Sequence, residues 1–169
     1  RGAFLRVRSP HRYIGAFNAS LFLSGNAADV REAILAGHPA GLVLDSSFED
    51  VMDDNELRVA FDFDGVLADD EAEIVYHTTG NLKDFHSSEV DKVLKAHNPG
   101  PLKELLQKIS KLQEWEAARA ERESNYVPKV RTAIITARNA PSHERMVTTL
   151  REWGIQVDET FFLGGVEKR

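Results

Sequence analysis

The sequence predicts an α/β protein with a parallel sheet and a long helical insertion. Three observations lead there. Short apolar, β-prone runs alternate with helical patterns at both ends of the chain, an order that builds parallel sheets. One of those runs ends in Asp62-Phe63-Asp64-Gly65, which puts two carboxylates at a strand terminus. Between Asp69 and Arg122 the apolar spacing is helical, broken at Asn98-Pro99-Gly100-Pro101.

Taken in order, a strand is expected near Ala3 to Val7, then a helix opened by Ser9 and Pro10 with Ile14 and Phe17 on one face. Ala19 to Ser24 reads as a strand. Asn26 and Asp29 mark a helix start, Val30, Ala33 and Ile34 form its apolar face, and Gly37 fits just past its end. Gly41 to Leu44 closes this βαβαβ-like unit of residues 1–45, expected to pack with the core. The acidic connection from Asp45 to Glu56 is expected to run over the surface.

Val59 to Phe63 reads as a buried strand, with Gly65 allowing a sharp turn after it. The helical stretch that follows is expected as a cap inserted at 71–128, with the core formed by 57–70 and 129–169. Val90, Val93, Leu94 and His97 keep helical spacing before the break, and Leu102, Leu105, Leu106, Ile109, Leu112 and Trp115 keep it after. Arg131 to Thr136 resumes a strand. Pro141 helps open a helix with Met146, Val147, Leu150 and Trp153 inward, and Thr160 to Leu163 forms a last strand.

Composition narrows the function. The chain has 169 residues, 42% hydrophobic and 28% charged, enough for one domain with a core and a small insertion. A net charge of -6 argues against nucleic-acid polymers and anionic membranes as partners, since both select basic surfaces. Cysteine is absent, which excludes disulfides and thiolate metal sites, and no apolar run suggests a membrane span or a signal peptide. A soluble cytoplasmic protein is expected. The sequence opens on Arg1 rather than Met and stops at Arg169, so a fragment of a longer chain is also expected.

The chemistry centres on the strand ends. Open α/β sheets put their sites at the C-terminal ends of strands, and attack on a phosphate ester needs a nucleophile, a proton donor and positive charge. Asp62 and Asp64 supply two carboxylates, which can face one site only if the chain leaves strand geometry between them. The alternative is a pair of turn or capping residues. Thr136 ends the strand Ala133-Ile134-Ile135-Thr136, and with the loop Ala137-Arg138-Asn139 it offers a hydroxyl and N–H groups to a phosphoryl oxygen. Arg138 adds charge there or forms a structural salt bridge. Lys168 follows the flexible Phe162-Leu163-Gly164-Gly165 segment and is either a phosphate ligand or surface charge. His77, Phe85, His86 and Tyr126 lie in the insertion and either stack on a base or pack.

Asp62-x-Asp64-Gly65-Val66, a strand-end Thr136 and a Gly-loop Lys168 resemble, in order and context, the first three motifs of haloacid dehalogenase-like phosphohydrolases. More narrowly, Phe61 to Glu71, Ile135 to Arg145 and Phe161 to Gly165 are similar to the cytosolic 5′-nucleotidase type I family, as are Leu21-Phe22-Leu23-Ser24 and Val30-Arg31-Glu32-Ala33-Ile34. The resemblance implies a Rossmann-like three-layer parallel sheet with a helical cap. It also implies hydrolysis of nucleoside 5′-monophosphates, with Asp62 as nucleophile forming an aspartyl-phosphate and Asp64 as general acid, then base. Thr136, Ala137, Arg138 and Lys168 would bind the phosphate. Mg²⁺ would be held by Asp62, the backbone carbonyl of Asp64 and a later acid. Oxygen ligands suit this hard cation, which would offset the repulsion between Asp62 and the phosphate.

The later acid belongs to a fourth motif on the strand after Lys168, and the sequence stops one residue past Lys168. Either the acid lies beyond Arg169 or the metal site is incomplete, and Asp45 is a weak substitute. Phe4-Leu5-Arg6-Val7-Arg8, the helix after it and Leu21 to Ser24 share the layout expected after Phe162-Leu163, as a half-repeat or permuted copy would, with Ser24 where the acid is wanted. Two alternatives stay open: a phosphatase for another small phosphoester, and a non-catalytic nucleotide-binding or interaction domain. The helical stripes also permit a homo-oligomer.

Overall fold

The computed structural model describes residues 10–46, 54–71, 74 and 82–164, with the backbone alone for 82–86. The chain divides into two compact units, Arg1–Asp54 and Asn55–Arg169. It is mixed α/β, with parallel strands in two sheets, consistent with the Rossmann-like architecture that the resemblance implies.

In the first unit a 3₁₀ turn, Pro10–Tyr13, runs into α1, Ile14–Phe17. Strand β1, Phe22–Ser24, helix α2, Ala27–Leu35, and strand β2, Ala40–Leu42, follow, with β1 parallel to β2. Asn26 caps α2 through its side chain, which accepts the Ala28 N–H at 3.0 Å. At the other end Gly37, at φ +81°, donates to Ile34 O and His38 donates to Ala33 O, so two orphan carbonyls of the helix are satisfied. Val30 and Ala33 are buried as expected, whereas Ile34 is 56% exposed. Both strands are shorter than the sequence suggests, and the strand expected at Ala3 to Val7 lies outside the described residues.

In the second unit β3, Leu57–Phe61, β4, Val130–Thr136, and β5, Glu159–Phe162, form a parallel sheet in the order β3-β4-β5. The register runs from Leu57 opposite Val130 to Phe61 opposite Ile134, and from Ala133 opposite Glu159 to Thr136 opposite Phe162. Among the described residues it is accompanied by helices α3, Leu82–Asp91, α4, Lys103–Ala120, and α5, His143–Glu152. Phe61, Phe63, Leu67, Leu106, Ile134, Met146 and Leu150 make one buried cluster, with Leu102, Leu105, Ile109 and Trp153 packed against it. Helix α4 thus lies within the stretch expected as a cap, yet its apolar face belongs to the core. Leu112 and Trp115, though in phase with that face by sequence, are exposed, as is Val147 of α5.

One further difference has a physical cause. The helical spacing from Val90 to His97 is not used, because α3 stops at Asp91 and Leu94 is 88% exposed. Backbone groups that a longer helix would have paired internally bond to α5 instead: Lys95 O accepts Arg145 Nε at 2.9 Å and His97 N–H donates to Thr149 Oγ1 at 3.0 Å. Tyr126 serves packing, donating to Glu116 at 2.7 Å with the Arg119 guanidinium 4.3 Å from its ring centroid. Glu116 in turn accepts the Lys129 and Val130 N–H groups, fixing the entry into β4.

Candidate active site

The site is built where β3 ends. Strand geometry stops at Phe61, and a turn takes over in which Leu67 and Ala68 both donate to Phe63 O, at 3.0 and 2.9 Å, with Gly65 at φ +69°. That is the departure from strand geometry that two carboxylates at this spacing need if they are to share one site. Asp62 and Asp64 are both half-buried, and Asp62 Oδ1 accepts the Phe63 N–H at 2.7 Å. Phe63 between them is fully buried, its ring flanked by the His97 ring, with centroids 5.4 Å apart, and by Arg138, 5.2 Å away.

Strand β4 runs on past the last paired residue of β3 and ends at Thr136, which is fully buried. Its hydroxyl accepts the Arg138 N–H at 3.2 Å and so shapes the loop that follows, while Ala137 is exposed there. Asp62, Asp64, Thr136, Ala137 and Arg138 therefore sit at the C-terminal ends of neighbouring strands. Lys168 and His77 lie outside the described residues, as do the side chains of Phe85 and His86. Asp45 is exposed in the first unit.

Arg138 is ion-paired on both edges of its guanidinium. One edge of the guanidinium grips Asp64, with Nε at 3.0 Å from Oδ2 and Nη2 at 2.6 Å from Oδ1. The other edge, through Nη1, meets the Glu89 carboxylate and Ser142 O. Glu89 is shared: Arg145 Nη1 donates to it at 2.7 Å, and His97 Nε2 lies 3.3 Å away without hydrogen-bond geometry. Arg145 extends the network to Glu71 at 3.3 Å, and Lys92 closes it on Glu71 at 2.7 Å. The side chains of Glu89, Arg138 and Arg145 are at most 2% exposed. Burial alone would raise the Glu89 carboxyl. The contacts with His97, Arg138 and Arg145 outweigh it and bring the group from 4.5 down to about 2. On Arg138, burial works against the charge, but Asp64 and Glu89 together push its pKa up.

Two donor sets bear on a metal. Asp69, Glu71 and His97 bring ligand atoms within 4.8 Å of one another. Glu71 already faces Lys92 and Arg145, however, and Asp69 accepts from Asn98 at 2.8 Å, so cations and donors occupy that cluster. The Asp62 carboxylate and the Asp64 main-chain carbonyl are hard oxygen donors at the strand end, the chemistry that suits Mg²⁺.

A family description, 5′-nucleotidase, matches residues 1–169. The chain belongs to the 5′-nucleotidase family. It is 35% identical over 162 residues, 95% of its length, to cytosolic 5′-nucleotidase 1B of Homo sapiens, and spans 26% of the length of that protein. No solved structure gives a significant match. Within this family member the buried Glu89 was invisible to sequence reasoning: in Ser88-Glu89-Val90-Asp91 it looks like one of many solvated helix charges. Arg145 stood inside the stretch similar to the type I family, but nothing in its spacing signalled that it is buried.

Proposed function

We propose that this chain contributes the catalytic core of an enzyme that hydrolyses nucleoside 5′-monophosphates to nucleoside and phosphate. The observation that carries the reading is the meeting of Asp62 and Asp64, just past the end of β3, with Thr136 at the end of the adjacent β4, in a chain of the 5′-nucleotidase family. A carboxylate oxygen of Asp62 attacks phosphorus, the bond from phosphorus to O5′ breaks, and the departing oxygen takes a proton from Asp64. Water then attacks the aspartyl-phosphate, giving its proton to the Asp64 carboxylate and releasing Asp62 and phosphate. Both Asp64 oxygens are bonded to Arg138, so the ion pair sets where the proton carrier rests.

Thr136, the Ala137 N–H and Lys168 are the proposed phosphate ligands, with Arg138 acting through Asp64. Asp62 and the Asp64 carbonyl would hold Mg²⁺, which supplies charge neutralisation at the phosphate when bound. A cytoplasmic setting is proposed by extension from the name of the human relative.

The test is phosphate release from a panel of nucleoside monophosphates by the unmutated chain and by Asp62→Asn, with Mg²⁺ or with chelator. Turnover that is lost in Asp62→Asn and on chelation is expected. Equal release by both proteins, or release only from non-nucleotide phosphoesters, would overturn the assignment.

A further inference from the structure

The ion network reaches the catalytic aspartate from an unexpected direction. Glu89 comes from α3, in the segment inserted between β3 and β4, whereas Arg138 and Arg145 follow β4. We propose that Glu89 is a positioning residue for proton transfer, fixing the Asp64 carboxylate through Arg138, so that the seating of α3 sets the geometry of the proton donor. This rests on the reading of Asp64 as general acid.

The planar guanidinium makes the coupling specific. Its Nε and Nη2 edge is taken by Asp64, and its remaining nitrogen, Nη1, is held by Glu89 and Ser142 O. With one edge clamped, the plane cannot rotate without breaking the bonds on the other. Glu89 is itself held by Arg145, whose Nε is anchored on Lys95 O at 2.9 Å. Arg138 thus holds Asp64 in an orientation that α3 helps to dictate. Glu89→Gln removes the charge that Nη1 is paired with, so the hold on the guanidinium plane weakens from that side. A side chain that merely fastened α3 to the core would need no link to the carboxylate that moves the proton.

The leaving group separates these roles. The 5′-alkoxide of a nucleoside needs a proton as it departs, whereas p-nitrophenolate does not. The experiment measures the first-turnover release of nucleoside from a nucleoside 5′-monophosphate and of p-nitrophenol from p-nitrophenyl phosphate, by the unmutated chain and by Glu89→Gln. The nucleotide rate should fall about 10-fold to 100-fold, part of the ~10²–10⁴ that a placed proton donor supplies, with the aryl rate changed less than about threefold. Glu89→Asp, which keeps the charge on a shorter arm, should recover part of the nucleotide rate, and should Glu89→Gln not fold, the ratio of the two rates in Glu89→Asp decides in its place. Equal losses on both esters, or none, would overturn the positioning role while leaving the nucleotidase reading intact. No first-turnover release from either ester by the unmutated chain would overturn both.

Discussion

Gly100→Ala puts the packing of this residue against the turn after Asp64 under direct strain. A Cβ at this position would lie 2.3 Å from Ala68 O, 2.7 Å from Val66 O and 2.8 Å from the Ala68 carbonyl carbon. All three are backbone atoms of the turn that follows Asp64, so no side chain can swing aside. Relief requires the two segments to part by roughly 1 Å, which endangers the bonds from Gly100 N–H to Leu67 O at 2.7 Å and from Leu102 N–H to Val66 O at 2.9 Å. Overpacking costs about 1–3 kcal/mol, and a backbone clash belongs at the top of that range. Weakening two hydrogen bonds adds ~1 kcal/mol, and the lower entropy of the unfolded alanine chain returns ~0.5 kcal/mol. The net expectation is a loss of about 3 kcal/mol. In urea, with a slope of roughly 2 kcal/mol/M, the unfolding midpoint should fall by about 1.5 M. A shift smaller than ~0.5 M would refute the close approach of 98–100 to the turn after Asp64.

Two further outcomes follow from the packing and the charges. The folded-state pKa of Glu89 is depressed from 4.5 to about 2, so the stabilisation it brings is fully present above 4.5 and drains away as pH falls toward 2. That stabilisation is on the order of 3 kcal/mol, of which about 2 kcal/mol should be gone by about pH 3. Glu71, Glu116 and Asp158 are depressed in the same direction. Urea midpoints across this window should drop steeply for the unmutated chain and less for Glu89→Gln. On α4, Leu106→Ala should cost about 2–5 kcal/mol because the side chain is fully buried, whereas Trp115→Ala, at a position 63% exposed, should stay within about 0.5 kcal/mol by thermal unfolding.

Local chemistry made much of this legible in the sequence. The cap of α2 was readable because Asn26 and Gly37 have backbone roles that few other residues perform. Strand β4 announced itself through its β-branched residues, whereas β3 runs Leu57–Phe61 rather than Val59 to Phe63, and Asp62-x-Asp64-Gly65 marked the candidate site by putting a carboxylate pair at a strand end. What stayed hidden was decided by tertiary pairing. Val90 to His97 keeps helical spacing, yet the side chains of α5 claim its backbone groups. Leu112 and Trp115 continue the α4 spacing, yet Gln113 and Glu116 are the side chains that face β4, bonded to Val130 O and Val130 N–H. Glu89 and Glu116 are ordinary charged residues of helices until the fold surrounds the first with two arginines and gives the second the N–H groups that open β4. No local pattern encodes such partners.

The central claim is that Asp62 is the nucleophile. It is tested most directly by mixing the chain with a nucleoside 5′-monophosphate, quenching in acid within the first turnover, and mapping the product by peptide mass spectrometry. The account predicts one phosphoryl group on the peptide carrying Asp62, absent from Asp62→Asn, and accumulating in Asp64→Asn when p-nitrophenyl phosphate, whose leaving group needs no proton, replaces the nucleotide. Turnover with no phosphorylated peptide, or with the phosphoryl group on another residue, would contradict it.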